Sequence, residues 1–322
     1  MMSEATETRQ LILDTAGRIF ADHCDKQLLD RSEQGEFAAA LWSQIAENGF
    51  NQLGAAGSGT SAADMFAFIQ LSGVHAVPVP IAETLMVNYW CGAADGLFSV
   101  GEVVGDRIVQ VPWVQQAQKV VGVQRDSDTL VVVENPEVLE QHVNMAGEPR
   151  GVVAVPAGAA TLTAAADPYA TMAAVRGNQI VGSLLKLLDL GVLYSTDRVQ
   201  FGRAIAKFQA IQHSLAVVAA EAAAAKRAAD AAVDALDGER FVHEVSASKA
   251  RIGEAATVVA EQIHQIHGAM GFTHEHQLHH YSRRAWAWRD EYGNEFYWQT
   301  RLGQHLASLG ADQVWSFIAT RG

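Results

Sequence analysis

With 322 residues, 49% of them hydrophobic and only 18% charged, the chain can bury a large core over about two or three domain-sized units, which excludes intrinsic disorder and fibrous repeats. Lys and Arg number 23 against 36 Asp and Glu, a formal charge of −13, so the surface as a whole repels polyphosphate and anionic lipid headgroups, and neither a nucleic-acid nor a membrane partner is expected. Two cysteines, Cys24 and Cys91, give neither a disulfide framework nor a paired zinc signature, and the acid-bearing start of the chain lacks the basic-then-apolar layout of a secretory signal, so the expected location is cytoplasmic.

From Leu11 to about Trp90 apolar residues recur at helical spacing, first in Leu11, Ile12, Ala16, Ile19 and Phe20, then in Phe37, Leu41 and Ile45. Gly49 stands where a helix should stop, and Thr60 or Ser61 can cap the next helix through Phe66, Ile69 and Leu71. Pro78 and Pro80 impose an extended turn before a short helical run from Ala82 to Trp90.

Between about Leu97 and Tyr169 the pattern changes to short β-branched runs, Arg107 to Val111, Lys119 to Val123, Thr129 to Val133 and Gly151 to Val155. The stretch from Asn135 to Pro149 is too weakly patterned to place a strand. Beyond Ala170 everything reads as helix. A long helix is expected over Ile205 to Leu236, whose alanines allow close approach of a neighbour, and another carries Val242, Val245, Ile252, Ala256, Val259, Ile263 and Ile266 on one face. The expected fold is mainly α with a small β domain: an N-terminal helical domain over 1–95, a shortened β domain over 96–169 and an antiparallel helical bundle over 170–322.

Two segments carry residue types suited to ligand chemistry. Arg198-Val199-Gln200-Phe201-Gly202-Arg203-Ala204-Ile205, followed by Phe208-Gln209-Ala210-Ile211-Gln212-His213, presents a cation, an aromatic ring and two amides at one junction. A guanidinium grips phosphate with a fork of donors, and a ring stacks on a flat heterocycle, a combination that suits a dinucleotide. A capping arginine, a buried phenylalanine and two solvated amides would account for the same residues. The second segment, Gln265-Ile266-His267-Gly268-Ala269-Met270-Gly271-Phe272-Thr273, ends the strongest helix with two glycines three apart, where a ligand can approach bare backbone.

Together these segments resemble the acyl-CoA dehydrogenase family, which pairs an Arg-x-x-Phe-Gly-x-x-Ile-x-x-Phe-Gln stretch with a later Gln-x-x-Gly-x-x-Gly-Phe loop; the layout of the three parts is similar as well. The resemblance implies FAD at a subunit interface, with Arg198, Phe201, Gln209, Gln265, Gly268 and Gly271 as contacts to a dinucleotide held by a neighbouring subunit. It also implies an acyl-CoA substrate and an electron-transfer flavoprotein as acceptor. The family's Thr-Glu-Pro-x-x-Gly-Ser segment, which holds the flavin ring and thioester, has no counterpart here. The chain keeps the surface that touches a neighbour's cofactor and lacks part of what holds its own. Its expected partner is therefore a longer homologous subunit in a heterotetramer, or else a second copy of itself, and the pattern resembles the smaller subunit of paired-subunit bacterial members.

The family's reaction is α,β-dehydrogenation of a CoA thioester, in which a carboxylate with a raised pKa removes the α proton and the β hydride passes to flavin. In strict register Tyr292 falls at the family's glutamate position and Glu291 one residue early, while the family's other location falls near Met172, with no acid from Thr171 to Leu188. Glu291 is the local candidate for the base, against the plainer account of a solvated Arg289 to Glu291 surface pair. The alternative function is a non-catalytic partner that completes the FAD site of a longer chain.

Histidines 264, 267, 274, 276, 279 and 280 raise a metal question, since His264 and His267 share a helix face. No His-Glu-x-x-His run accompanies them and the cysteines are remote, so no metal site is expected. The cluster Trp286, Trp288, Tyr292, Phe296, Tyr297 and Trp298 is expected as a packing face or a subunit contact.

Overall fold

The computed structural model describes residues 4–320. Five helices come first: α1 Glu4–His23, α2 Lys26–Glu33, α3 Ala39–Glu47, α4 Ala62–Val74 and α5 Ile81–Cys91. Gly49 follows α3 with φ +70°, a left-handed turn that ends the helix. Ser61 caps α4 in a reciprocal box with Asp64: the Asp64 amide donates to Ser61 Oγ at 3.2 Å and the Ser61 amide donates to Asp64 Oδ2 at 2.8 Å.

Seven strands follow: β1 Phe98–Val104, β2 Arg107–Pro112, β3 Lys119–Val123, β4 Thr129–Glu134, β5 Val138–Val143, β6 Pro149–Ala154 and β7 Ala160–Thr163. They form one sheet in the order β5-β6-β2-β1-β3-β4-β7, in which β1 and β3 run parallel, Val100 beside Val121, and every other pair is antiparallel. Four strands coincide with the β-branched runs. The other three lack that signal for physical reasons. β1 contains Ser99 and Gly101, while β5 and β7 are the sheet edges, exposed along nearly their whole length and rich in polar residues, as strands that must resist pairing with other chains tend to be.

The remainder is helical: α6 Pro168–Asp197, α7 Gln209–Asp234, α8 Phe241–His267, α9 Leu278–Asp290, α10 Glu295–Leu309 and α11 Ala311–Ala319. The expected helix from Ile205 begins later. Arg198 to Ala204 instead forms a two-stranded hairpin, β8 Val199–Gln200 and β9 Arg203–Ala204, and Ile205–Lys207 is a single 3₁₀ turn before α7. Alanines 222, 225, 229 and 232 line the buried stripe of α7, and Val245, Ile252, Ala256, Val259, Ile263 and Ile266 are buried along α8.

Two glycines let α4 and α6 cross in close contact. A Cβ at Gly182 on α6 would lie 2.1 Å from the Gln70 carbonyl oxygen on α4, and one at Gly73 would lie 2.1 Å from the Gln179 carbonyl oxygen. One hydrophobic core joins the three parts, with Phe66 and Phe68 from the first helices, Val100 and Val121 from the sheet, and Tyr169 and Trp298 from the bundle. Among the described residues, no helix is long and apolar enough to cross a membrane.

Candidate functional site

The hairpin and the end of α8 face each other across a cleft of about 440 Å³ lined by Arg198, Phe201, Phe208, Gln265, His267 and Gly268, among others. Both walls have local causes. The hairpin turn is Phe201 at φ +51° followed by Gly202 at φ +79°, the left-handed pair that a two-residue hairpin requires. This turn leaves the Phe201 ring 91% exposed, an unusual place for an aromatic side chain with no partner to cover it. The ring stands edge-on to Phe208, 6.1 Å between centroids, and the Arg203 guanidinium lies 4.3 Å above Phe208. On the other wall α8 ends at Gly268, whose φ of +57° turns the chain and whose Cα faces open space.

Sequence-selected residues Arg198, Phe201, Gln265 and Gly268 therefore meet in one cleft. Gln209 and Gly271 are not part of its lining. Gln209 is the exposed first residue of α7. Gly271 is buried, where a Cβ would come within 3.1 Å of His267 Cβ and 3.3 Å of Leu278 Cδ2; its lack of a side chain serves packing beneath the loop.

Tyr194 and His267 also line the cleft, neither of them chosen on the sequence as a dinucleotide contact. Tyr194 stands one helical turn before Arg198, a spacing that brings both to the same face. It stacks on His267 at 4.3 Å between centroids, and with Arg198 it also lines an adjoining cleft of about 370 Å³. His267 Nδ1 donates to the Ile263 carbonyl at 2.8 Å, which leaves Nε2 as an acceptor, buried and without a hydrogen-bond partner. Burial lowers this imidazole to about 4, so the ring is neutral. The donor set, an exposed guanidinium, a carboxamide and an exposed ring, together with an orphaned acceptor in the wall, fits one end of a dinucleotide: phosphate for Arg198, a flat heterocycle for Phe201, a hydroxyl or amino group for His267.

Glu291 lies elsewhere, at the end of α9 where it meets the sheet, beside a cavity of about 310 Å³ that it lines with Glu102, His142, Asp290 and Tyr292. It is no surface residue. Arg150 Nη2 reaches Oε1 at 2.8 Å and Arg176 Nε reaches Oε2 at 2.6 Å, and the side chain is only 12% exposed. Burial alone would raise its pKa, but the two guanidinium groups outweigh burial and hold the carboxyl near 2. A base for carbon acids needs the opposite shift. The expectation for Glu291 as base thus meets a physical objection, as does the plainer expectation of a solvated pair with Arg289: both of its oxygens are already committed to cations.

The backbone around Glu291 is held as firmly. Buried Lys249 on α8 donates to the carbonyls of Trp288 (3.3 Å), Arg289 (2.6 Å), Glu291 (3.0 Å) and Gly293 (2.9 Å), closing the free end of α9. Tyr292, at φ +55°, turns into the core, where its hydroxyl donates to the Val100 carbonyl at 3.4 Å and burial raises its pKa. Tyr292 and Trp298 belong to the shared core, whereas Phe296 is 77% exposed, so the aromatic cluster divides between packing and surface.

A helical part, a central sheet and a helical bundle, with a cleft between a hairpin and a glycine turn in that bundle, define a recognised architecture. Residues 170–294 match the family described as "Acyl-CoA dehydrogenase, C-terminal domain", and the fold of the whole chain is similar to that of solved acyl-CoA dehydrogenases. The curated protein "Acyl-CoA dehydrogenase IpdE2" of Mycolicibacterium smegmatis is 26% identical over 306 residues, 87% of this chain and 93% of that protein. Among solved structures, the ChsE4-ChsE5 complex from Mycobacterium tuberculosis contains a chain with TM-score 0.82 at 18% identity, covering 97% of this chain and 99% of that one. A chain of the Tcur3481-Tcur3483 steroid ACAD G363A variant has TM-score 0.81 at 21% identity, covering 94% and 99%.

Proposed function

We propose that this chain is a subunit of an FAD-dependent acyl-CoA dehydrogenase and that it completes a flavin site at a contact with another, longer family chain, without supplying the base. The observation that carries this reading is the convergence of Arg198, Phe201, Gln265 and Gly268 on one open cleft. When bound, FAD supplies the hydride acceptor for α,β-dehydrogenation of a CoA thioester. The residues of this chain bind and orient: Arg198 neutralises phosphate, Phe201 covers a ring face, and His267 Nε2 accepts from a polar group of the nucleotide.

The state of Glu291 favours the non-catalytic form of this role. A carboxylate held near 2 by Arg150 and Arg176 is ionised at every physiological pH and is too weak a base for a carbon-bound proton, so this account assigns proton removal to the partner chain. Two of the similar solved structures, ChsE4-ChsE5 and Tcur3481-Tcur3483, carry the names of paired proteins, which supports looking for such a partner here. An electron-transfer flavoprotein is the acceptor this reading entails.

Co-expression with a longer acyl-CoA dehydrogenase chain tests the proposal. The expected result is a colourless solitary chain and a yellow co-purified complex that reduces dye when acyl-CoA is added. A complex with no flavin absorbance and no acyl-CoA-dependent reduction would end it.

A further inference from the structure

Two histidines that the cleft does not use, His279 and His280, lie at the start of α9, against α2. His280 is fully buried. Its Nδ1 lies 2.7 Å from Glu33 Oε1, and that carboxyl also accepts from Arg284 at 2.8 Å and from Arg283. A carboxylate on Nδ1 fixes the proton there and turns Nε2 into a lone pair, the arrangement that orients histidines toward metals.

That lone pair has no hydrogen-bond partner, although Asp30 Oδ1 stands only 3.1 Å away: the approach is close but not in line. Beside it, the His279 ring lies 4.0 Å from the His280 ring between centroids, and its nitrogens make no well-aligned hydrogen bond. One ligand atom from each of Asp30, His279 and His280 lies within 4.8 Å of the others.

We propose that Asp30, His279 and His280 bind a divalent cation of the zinc class, clipping α2 to α9. Two imidazoles and one carboxylate with an open fourth position suit zinc, and neighbouring ligands around a tetrahedral zinc stand about 3.3 Å apart, close to the Asp30–His280 separation. Lys26 holds the other Asp30 oxygen, Oδ2, at 2.6 Å and so presents Oδ1 to the site. The Asp30 side chain is partly exposed, which gives the ion a way in. The alternative occupant of the gap is a proton on His280 Nε2, shared with Asp30.

Zinc titration of the full-length, chelator-treated chain by calorimetry separates the two, with cobalt absorption reporting coordination. The proposal expects one zinc per chain, a visible cobalt band of four-coordinate type, and affinity weakened roughly tenfold or more by His279→Gln and by Asp30→Asn. Both substituted positions are partly exposed, and circular dichroism checks that each variant folds. A wild-type chain that takes up no zinc, or zinc binding that neither substitution weakens, overturns the proposal.

Discussion

Arg176 and Glu291, 115 positions apart in sequence, meet with Nε 2.6 Å from Oε2 inside the protein. They are one link in a chain of ion pairs. Glu83 on α5 holds Arg176 at 2.6 Å, Glu291 holds Arg150 at 2.8 Å, Arg150 holds Glu148 at 3.0 Å, and Glu148 leads through Arg284 to Glu33 on α2. The N-terminal helices, the sheet and the bundle are thus tied by charge at the point where they meet. Such pairs are costly to break because the partner left behind is buried and uncompensated.

Replacing Glu291 by Gln removes the carboxylate from between two buried guanidinium groups. The expected loss of unfolding free energy is about 3–5 kcal/mol, read from the urea midpoint of the purified chain. In the assembled complex, turnover per folded unit and its pH profile are expected to match the unsubstituted protein. A folded complex that has lost all turnover would return Glu291 to the role of base.

Acid should loosen the same network. Glu291 and Glu33 both sit near 2 in the folded protein, below the ordinary carboxylate value of 4.5. A lowered folded-state pKa contributes stability that is complete above the unfolded value and is lost as pH falls through the folded one. Thermal unfolding followed from pH 7 downward should therefore show little change from this source above about 5 and a steep fall between about 4.5 and 2. The fall should be shallower in Glu291→Gln. Equal slopes in the two proteins would detach Glu291 from the transition.

The crossing of α4 and α6 gives a prediction independent of charge. With backbone oxygen 2.1 Å from where its Cβ would stand, Gly182→Ala must push the helices apart, and overpacking of this kind costs about 1–3 kcal/mol or more. Gly303→Ala, on α10 with nothing within 4 Å, is the control and is expected to leave the denaturation midpoint unchanged or slightly raised.

Much of this architecture could be read in the chain before its structure, and the failures have physical causes. Helices with one apolar stripe, such as α3 and α8, announce themselves by period, and Ser61 announces the start of α4. The edge strands β5 and β7 do not, because a strand with little buried surface has no alternation to show. The cleft was legible in part. Arg198, Phe201, Gln265 and Gly268 share a motif order that survives without structure, whereas Tyr194 contributes through a helical turn and His267 through an unpaired nitrogen that only its surroundings reveal. Gly271 misled because a glycine that permits packing and one that admits a ligand look alike in sequence. Glu291 misled for a related reason: Arg150 and Arg176, distant in sequence, decide its protonation.

The central claim is that the hairpin and the α8 terminus hold one end of a flavin dinucleotide across a subunit contact. It is tested most directly by the flavin content per complex, from visible absorbance, of the co-purified assembly carrying Arg198→Ala together with Phe201→Ala. Both side chains are exposed, so the subunit should fold with stability within about 0.5 kcal/mol of the original. The account predicts an assembled but largely colourless complex, its flavin affinity weakened by roughly a hundredfold for the loss of one phosphate contact and one stacking contact. A complex that keeps its full complement of flavin with both side chains removed would contradict it.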